Sequence, residues 1–258
     1  MTAEALAPMV ARFRADGPPR VWSLVVTVLG DVAQAHGGAI GSARLQAMLA
    51  PLGVEPGAVR VAVSRLRGEG WIVSEREGRG SIHRFGPRGL EEFDEVRERV
   101  YGAREETQAW SVTVGPEPPH FDAVELASQV WLSPGDHREW EFGPPAIALT
   151  GELELNGQLA PPPAEAQARQ NVAADAGDAR HMQDADPFDA AIARLLLIHR
   201  WRRFVLRHPD LPPPVHDADL RELVGASYRA LLPASRDWLE SGEGALPTMT
   251  GDARERFL

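Results

Sequence analysis

Residues 55–70, Glu-Pro-Gly-Ala-Val-Arg-Val-Ala-Val-Ser-Arg-Leu-Arg-Gly-Glu-Gly, divide into two chemically different faces when wound as a helix. Val59, Ala62, Val63 and Leu66 fall on one side, and Arg60, Val61, Ser64, Arg65 and Arg67 on the other. The spacing predicts a short helix with an apolar back and a guanidinium-rich front. Pro56 stands where a first helical turn accepts proline, and Gly70 where a helix commonly ends. Such a front suits the phosphates and base edges of duplex DNA. A plain solvated face, which most amphipathic helices carry, is the other reading of the same pattern.

The flanking segments restrict the choice. Val21, Leu24, Val25, Val28, Leu29 and Val32 recur every three or four residues, as do Leu45, Met48, Leu49 and Leu52 after Ser42, a candidate N-cap. Beyond Gly70, residues 71–74 and 82–85 are strand-like, and residues 77–81 supply a turn between them. Three helices and a hairpin, in that order, are the elements of a winged helix-turn-helix. In that motif the third helix enters the major groove and the hairpin tip reaches phosphate or the minor groove. The candidate DNA-binding residues are therefore Arg60, Val61, Ser64, Arg65 and Arg67 on the helix, with Arg76, Arg79 and Ser81 on the wing. The expected partner is double-stranded operator DNA.

Charge placement agrees with a local DNA-binding face. Every one of the 27 basic residues is Arg, and the chain carries a net charge of −10. Residues 44–88 hold eight Arg against four acids, whereas residues 89–258 hold 16 Arg against 30 acids. A basic patch in an acidic chain favours a sequence-directed regulator over a general DNA coat. With 258 residues and 43% hydrophobic content, two or three cores can form. No apolar run approaches a membrane span and no secretory leader opens the chain, so the expectation is a cytoplasmic protein with no membrane partner. The absence of cysteine excludes disulfides, thiolate metal sites and cysteine nucleophiles.

Downstream, residues 87–101 predict a linking helix with Leu90, Phe93, Val96 and Val100 on one side. Trp110, Val112 and Val114 alternate with Ser111 and Thr113, which predicts a half-buried strand, and residues 130–134 and 147–151 are two more strand candidates. Residues 158–187, rich in Pro, Ala and Asp, read as a linker or exposed loop. Helical spacing resumes at Phe188 with Ile192, Leu195 and Leu196, and again at Leu220, Leu223, Val224 and Leu231. The expected organisation is multidomain α+β: a winged-helix domain with its linking helix over 1–105, a small α+β unit over 106–157, the linker over 158–187, and a helical domain over 188–258.

Catalytic chemistry is not expected. The eight histidines include no His-Glu-x-x-His and no close ligand pair, so no metal site is expected. Asp184, Asp186 and Asp189 lack the glycine-centred pattern of a calcium loop. Gly78-Arg79-Gly80 is too short for a phosphate loop, and no cofactor is expected. One cluster invites a ligand: His199, Arg202 and Arg203 share a side of a predicted helix beside Trp201. Their guanidiniums could grip the phosphates of an anionic effector while apolar neighbours held its acyl group. The alternative is an Arg pair bonded to the acids of residues 217–222, fixing the C-terminal helices.

Several marks run through the chain in order: Trp22-Ser23-Leu24-Val25-Val26-Thr27-Val28-Leu29-Gly30-Asp31, the helix ending in Glu69-Gly70-Trp71, Tyr101, Val130-Trp131-Leu132-Ser133-Pro134, Trp201-Arg202-Arg203-Phe204, and His208-Pro209-Asp210-Leu211-Pro212. With these marks the chain resembles PaaX-type transcriptional repressors of phenylacetate catabolism. The resemblance implies a winged-helix N-terminal domain, a ferredoxin-like (Cas2-like) middle domain, a helical C-terminal domain, a homodimer, and an acyl-CoA thioester effector such as phenylacetyl-CoA; the expected effector site, with His199, Trp201, Arg202 and Arg203, lies between the middle and C-terminal domains. A nuclease role is not expected, because the strand ending at Val114 offers no acidic residue to hold a metal. The expected function is a sequence-specific repressor of a catabolic operon; the alternative is a winged-helix protein-interaction module with no small-molecule effector.

Overall fold

A computed structural model describes residues 3–78, 80–102, 110–118, 123–134, 147–151, 163–207, 219–251 and 256. The chain is mixed α+β: among the described residues, helices pack against one another at both ends of the sequence, and two small antiparallel sheets lie between.

Helix α1 (Ala3–Ala15) is followed by α2 (Val21–Thr27), which continues into a π-helical stretch (Val28–Ala33). Strand β1 (Ala39–Gly41) leads into α3 (Ser42–Leu49), and then α4 (Pro56–Gly68) begins with proline in its first turn. Gly70 ends that segment with φ of 76°, a conformation that favours glycine. Strands β2 (Ile72–Glu77) and β3 (Gly80–Phe85) form an antiparallel hairpin in register from Ile72↔Phe85 to Glu77↔Gly80, and β1 adds to the free side of β3. Ser42 does not cap α3. Gly41 takes the N-cap position, and the Ser42 hydroxyl instead donates to the Ser81 carbonyl at 2.9 Å, tying α3 to the hairpin.

Helix α5 (Pro87–Tyr101) follows the hairpin. Its expected apolar side is only partly covered: Val100 is buried, Phe93 and Val96 are half-buried, and Leu90 is 41% exposed. The second sheet contains β4 (Trp110–Val114), β5 (Val124–Ala127), β6 (Val130–Pro134) and β7 (Ile147–Gly151), ordered β5-β6-β4-β7 with every neighbour antiparallel. On β4 the expected alternation of covered and open positions is not seen: Ser111 and Thr113 are buried, Val112 is half-buried and Val114 is 43% exposed. Strand β4 is central in the sheet: Ser111 faces Ser133 of β6 on one side, and Val112 faces the fully buried Leu132 on the other, so both sides are covered along part of the strand.

The linker reading of residues 158–187 is corrected by α6 (Pro163–Ala179). Alanine is the strongest helix former, and Val172, Ala176 and Ala179 give this helix a buried side of small residues that carries little apolar contrast in sequence. Helix α7 (Pro187–Val205) is capped by the Asp186 carboxylate, which accepts from Phe188 N at 2.9 Å. All its residues from 190 to 199 are buried. Helix α8 (Asp219–Glu240) lies against both α6 and α7.

One contiguous apolar core joins the two ends of the sequence. Met9 and Phe13 of α1, Leu24 and Leu29, Val59 and Leu66 of α4, and Phe85 of the hairpin belong to the same cluster as Val172, Leu195, Ile198 and Tyr228. Residues expected in separate N-terminal and C-terminal domains therefore bury one another.

Candidate nucleic-acid interface

Val59, Ala62 and Leu66 anchor α4 in the core, with α2 packed against it. This leaves Arg60, Val61, Ser64, Arg65 and Arg67 exposed along the opposite face. Val61 is 70% exposed, an apolar side chain on the arginine-bearing face. Arg65 Nε donates to the Glu69 carboxylate at 2.7 Å, an exposed i,i+4 pair. On the hairpin, Arg76 is exposed and Ser81 half-buried, while Arg79 lies outside the described residues. Arg84 donates to Glu75 on the neighbouring strand at 3.1 Å. Helix front and hairpin thus present donors suited to phosphate oxygens and base edges.

One arginine of the basic segment is used differently. Arg44 is buried and donates to the carbonyls of Trp238, Ser241, Glu243 and Gly244 at 2.7–3.3 Å, with its guanidinium 4.3 Å above the Trp238 ring. It satisfies carbonyls at and beyond the end of α8 that no helical N–H reaches. Its charge is lost to the exposed patch.

Behind the front lies a buried charge network that sequence spacing did not reveal. Asp31, in the π-helical stretch, is 1% exposed. Its Oδ2 accepts from Arg194 Nε at 2.8 Å, and its Oδ1 accepts from Tyr228 at 2.8 Å, Arg256 at 2.9 Å and Tyr101 at 3.2 Å. Arg194 lies 5.2 Å from the Tyr228 ring centre, and Arg256 lies 4.2 Å from that of Tyr101. Burial pushes the Asp31 carboxyl up, but the Arg194 and Arg256 guanidiniums and the hydrogen bonds outweigh it and leave the group below its ordinary value. The sequence signal is an acid at Asp31 and a base at Arg194, each alone in an apolar run.

The four residues expected to hold an effector do not converge. Thr27 Oγ1 donates to the Ser23 carbonyl at 2.9 Å, so it accepts from His199 Nδ1–H at 3.0 Å. Burial, reinforced by Arg202, Arg203 and Arg200, pushes His199 down to about 3, leaving it neutral near pH 7. Trp201 is buried and donates to the Val100 carbonyl at 2.8 Å. Arg202 Nη2 donates to Ser23 Oγ at 2.9 Å and to its carbonyl at 3.2 Å, rather than to the acids near Arg221. Arg221 docks the end of α5, donating to the carbonyls of Gly102 at 3.0 Å and Arg99 at 2.9 Å. His199 and Arg203 line one cleft with Phe13, Asn171, Arg200 and Arg207, and Arg202 lines a different cavity. Helical spacing placed 199, 202 and 203 on one side, but α7 is enclosed on several sides, so neighbouring residues face different partners.

Among the described residues, no group of three or more His, Asp or Glu is arranged to hold a metal ion, and no helix is long and apolar enough to cross a membrane.

Residues 20–89 match the family model described as PaaX-like protein, and residues 166–241 match that of the PaaX-like protein C-terminal domain. Over 88 residues the chain is 35% identical to the transcriptional repressor PaaX of Escherichia coli (strain K12), a stretch that covers 34% of this chain and 27% of that relative.

Proposed function

Because the chain belongs to the PaaX-like family, we propose that it is a DNA-binding transcriptional repressor, with α4 as its recognition helix and the β2–β3 hairpin as its wing. The observation that carries this reading is the face of α4: Arg60, Val61, Ser64, Arg65 and Arg67 are exposed together while the back of the same helix is in the core. Arg donors bond guanine O6 and N7 in the major groove, and an exposed Val61 suits the thymine methyl. Helices α2, α3 and α4 followed by a hairpin support the winged-helix reading. In the middle region, the fully antiparallel order β5-β6-β4-β7 is that of a ferredoxin-like sheet, which supports the second expected domain. A homodimer on a pseudo-palindromic operator completes the reading, since one recognition helix reads too few base pairs for genomic selectivity. An acyl-CoA of the phenylacetyl type would release the operator by binding the DNA-free arrangement more tightly.

The test is fluorescence anisotropy with a duplex selected by the full chain from a random pool. Affinity should fall steeply with salt, and Arg60→Ala, Arg65→Ala and Arg67→Ala should each weaken binding to the selected duplex. Unchanged affinity in all three would remove the assignment of α4.

A further inference from the structure

Past α8 the chain turns back onto the DNA-binding half. Leu246 and Met249 are buried in the common core, and their N–H groups stay with α8, donating to the Leu239 carbonyl at 2.8 Å and to Glu240 Oε1 at 3.0 Å. The same segment is tied to the helix-turn-helix. Thr250 N donates to the Ala35 carbonyl at 2.9 Å, and the Pro247 carbonyl accepts from His36 Nδ1–H at 2.8 Å. Arg44 of α3 closes the tie at the end of α8, with its bonds to the Trp238, Ser241, Glu243 and Gly244 carbonyls. Further on, Arg256 donates to the carbonyls of Asp31 at 3.0 Å and Gly30 at 3.3 Å. These grips fall on the helix that begins as α2, on the residue after it and on α3, while the outer face of α4 stays exposed.

Anchors at several separate points fix an orientation, where one would only tether. The guanidinium of Arg44 is a planar fork with donors at set angles, so it accepts one seating of the α8 end. Arg44 is buried, and water competes little for these bonds. Orientation matters to a paired reader of DNA, because the two recognition helices of a dimer meet half-sites about 34 Å apart. At about 17 Å from the two-fold axis, a rotation of about 10° moves each helix by about 3 Å, close to the base-pair rise of about 3.4 Å. A winged helix that rocks by that much against its own C-terminal half loses its half-site register.

We propose that the segment from Ser241 to Thr250 is a strap, with Arg44 as its clasp, that sets which spacing of operator half-sites this chain accepts. Arg44 is a positioning residue: it touches no DNA and acts through the angle at which α4 is presented. The proposal deepens the repressor reading and rests on it, with the pair joined outside the winged helix.

The test uses the full chain with three kinds of duplex: the selected one with both half-sites, one with a single half-site, and versions whose half-sites are moved by two base pairs. In Arg44→Met, affinity for the selected duplex should fall by about tenfold or more, the size of a base-pair mismatch, while affinity for the single half-site stays within about twofold. The penalty for altered spacing should shrink by about the same factor as the selected duplex loses. Arg44→Lys, which keeps the charge but not the fork, should fall between Arg44→Met and the parent. His36→Phe keeps a ring and removes the donor to Pro247, so it loosens the strap at a different anchor and should give the same pattern with smaller changes. Melting curves confirm that each variant is folded. An arginine on a phosphate would instead weaken both duplexes and lower the salt slope by about one. That result, or a parent-like spacing preference in folded Arg44→Met and His36→Phe alike, overturns the inference while the parent still binds as a pair. A parent that selects no duplex, or binds it as one chain per duplex, overturns the paired repressor reading and the strap's role with it.

Discussion

Helices α4 and α7 both carry several arginines and use them in opposite ways. On α4, Arg60, Arg65 and Arg67 are exposed, and the ion pair made by Arg65 lies in solvent. On α7, Arg194 is fully buried between Asp31 and Tyr228, and Arg202 is held against Ser23. A buried guanidinium needs fixed acceptors, because desolvation otherwise exceeds its attraction to any one partner. An exposed one keeps its hydration and its freedom to meet a phosphate. The difference separates arginines that assemble the fold from those available to a ligand, which residue type alone does not do.

The sharpest way to break the comparison is to remove the acceptor that Arg194 and Arg256 share. Asp31→Ala leaves two guanidiniums buried without their carboxylate, and stability to denaturant should fall by about 3–5 kcal/mol. Adding Arg194→Met to Asp31→Ala should recover part of the loss, since the two residues are coupled. The Asp31 carboxyl titrates below its ordinary value in the folded chain. Its contribution is therefore present above the unfolded carboxyl pKa and is lost as pH falls through the folded one. A variant as stable as the parent would show that the network is not what joins the two ends of the chain.

A pH-dependent effect, absent near neutrality, comes from His199, the neutral side chain beside these arginines. Its folded value is about 3 against 6.5 for an ordinary histidine, so the unfolded chain takes up the proton first. Stability from this group is complete above about pH 6.5 and falls by about 1.4 kcal/mol per pH unit between there and about pH 3. His36 and His83 are shifted in the same direction and add to the slope. His199→Gln should flatten the stability profile over pH 4–6 relative to the parent, measured by denaturation at each pH. An unchanged profile would mean that His199 accepts a proton in place.

The contrast between α4 and α7 also marks what the sequence discloses. Helix α4 was legible because one face is in the core and the other in water, so periodicity, Pro56 and Gly70 all mark the same element. The hairpin, α5 and three of the four strands of the second sheet carried comparable local signals. Helix α6 did not, since an alanine-rich buried face has little contrast with its surroundings, and neither did β5 or α1. The Asp31 network was hidden for another reason: Asp31, Tyr101, Arg194, Tyr228 and Arg256 come from five distant segments, and no local spacing brings them together. The residues expected to hold an effector are divided for a similar reason: His199 and Arg203 line one cleft and Arg202 another cavity, because the position of a side chain on a helix does not state which neighbour covers it.

On α4 itself, Arg65→Ala should cost about 1–3 kcal/mol of affinity for the selected duplex and relax the preference at one base pair, if Arg65 leaves Glu69 for guanine. Its exposed pair with Glu69 contributes at most about 1 kcal/mol to the fold, so the melting point should hardly move. Loss of stability without loss of affinity would move Arg65 into the structural class with Arg194.

The smallest expected effect tests the same division within the hairpin. Arg84 is engaged by Glu75, whereas Arg76 projects exposed from the strand that leads to the turn. An exposed guanidinium at a wing reaches a phosphate without burying its charge, and each phosphate contact releases about one counterion. Arg76→Ala should therefore weaken binding to all duplexes alike and lower the slope of log affinity against log salt by about one. Arg84→Ala should change that slope less, because its charge is already opposed by a carboxylate. Equal slopes for the parent and Arg76→Ala would place Arg76 outside the contact, and a loss confined to one base pair would make it a base-reading residue like those proposed on α4.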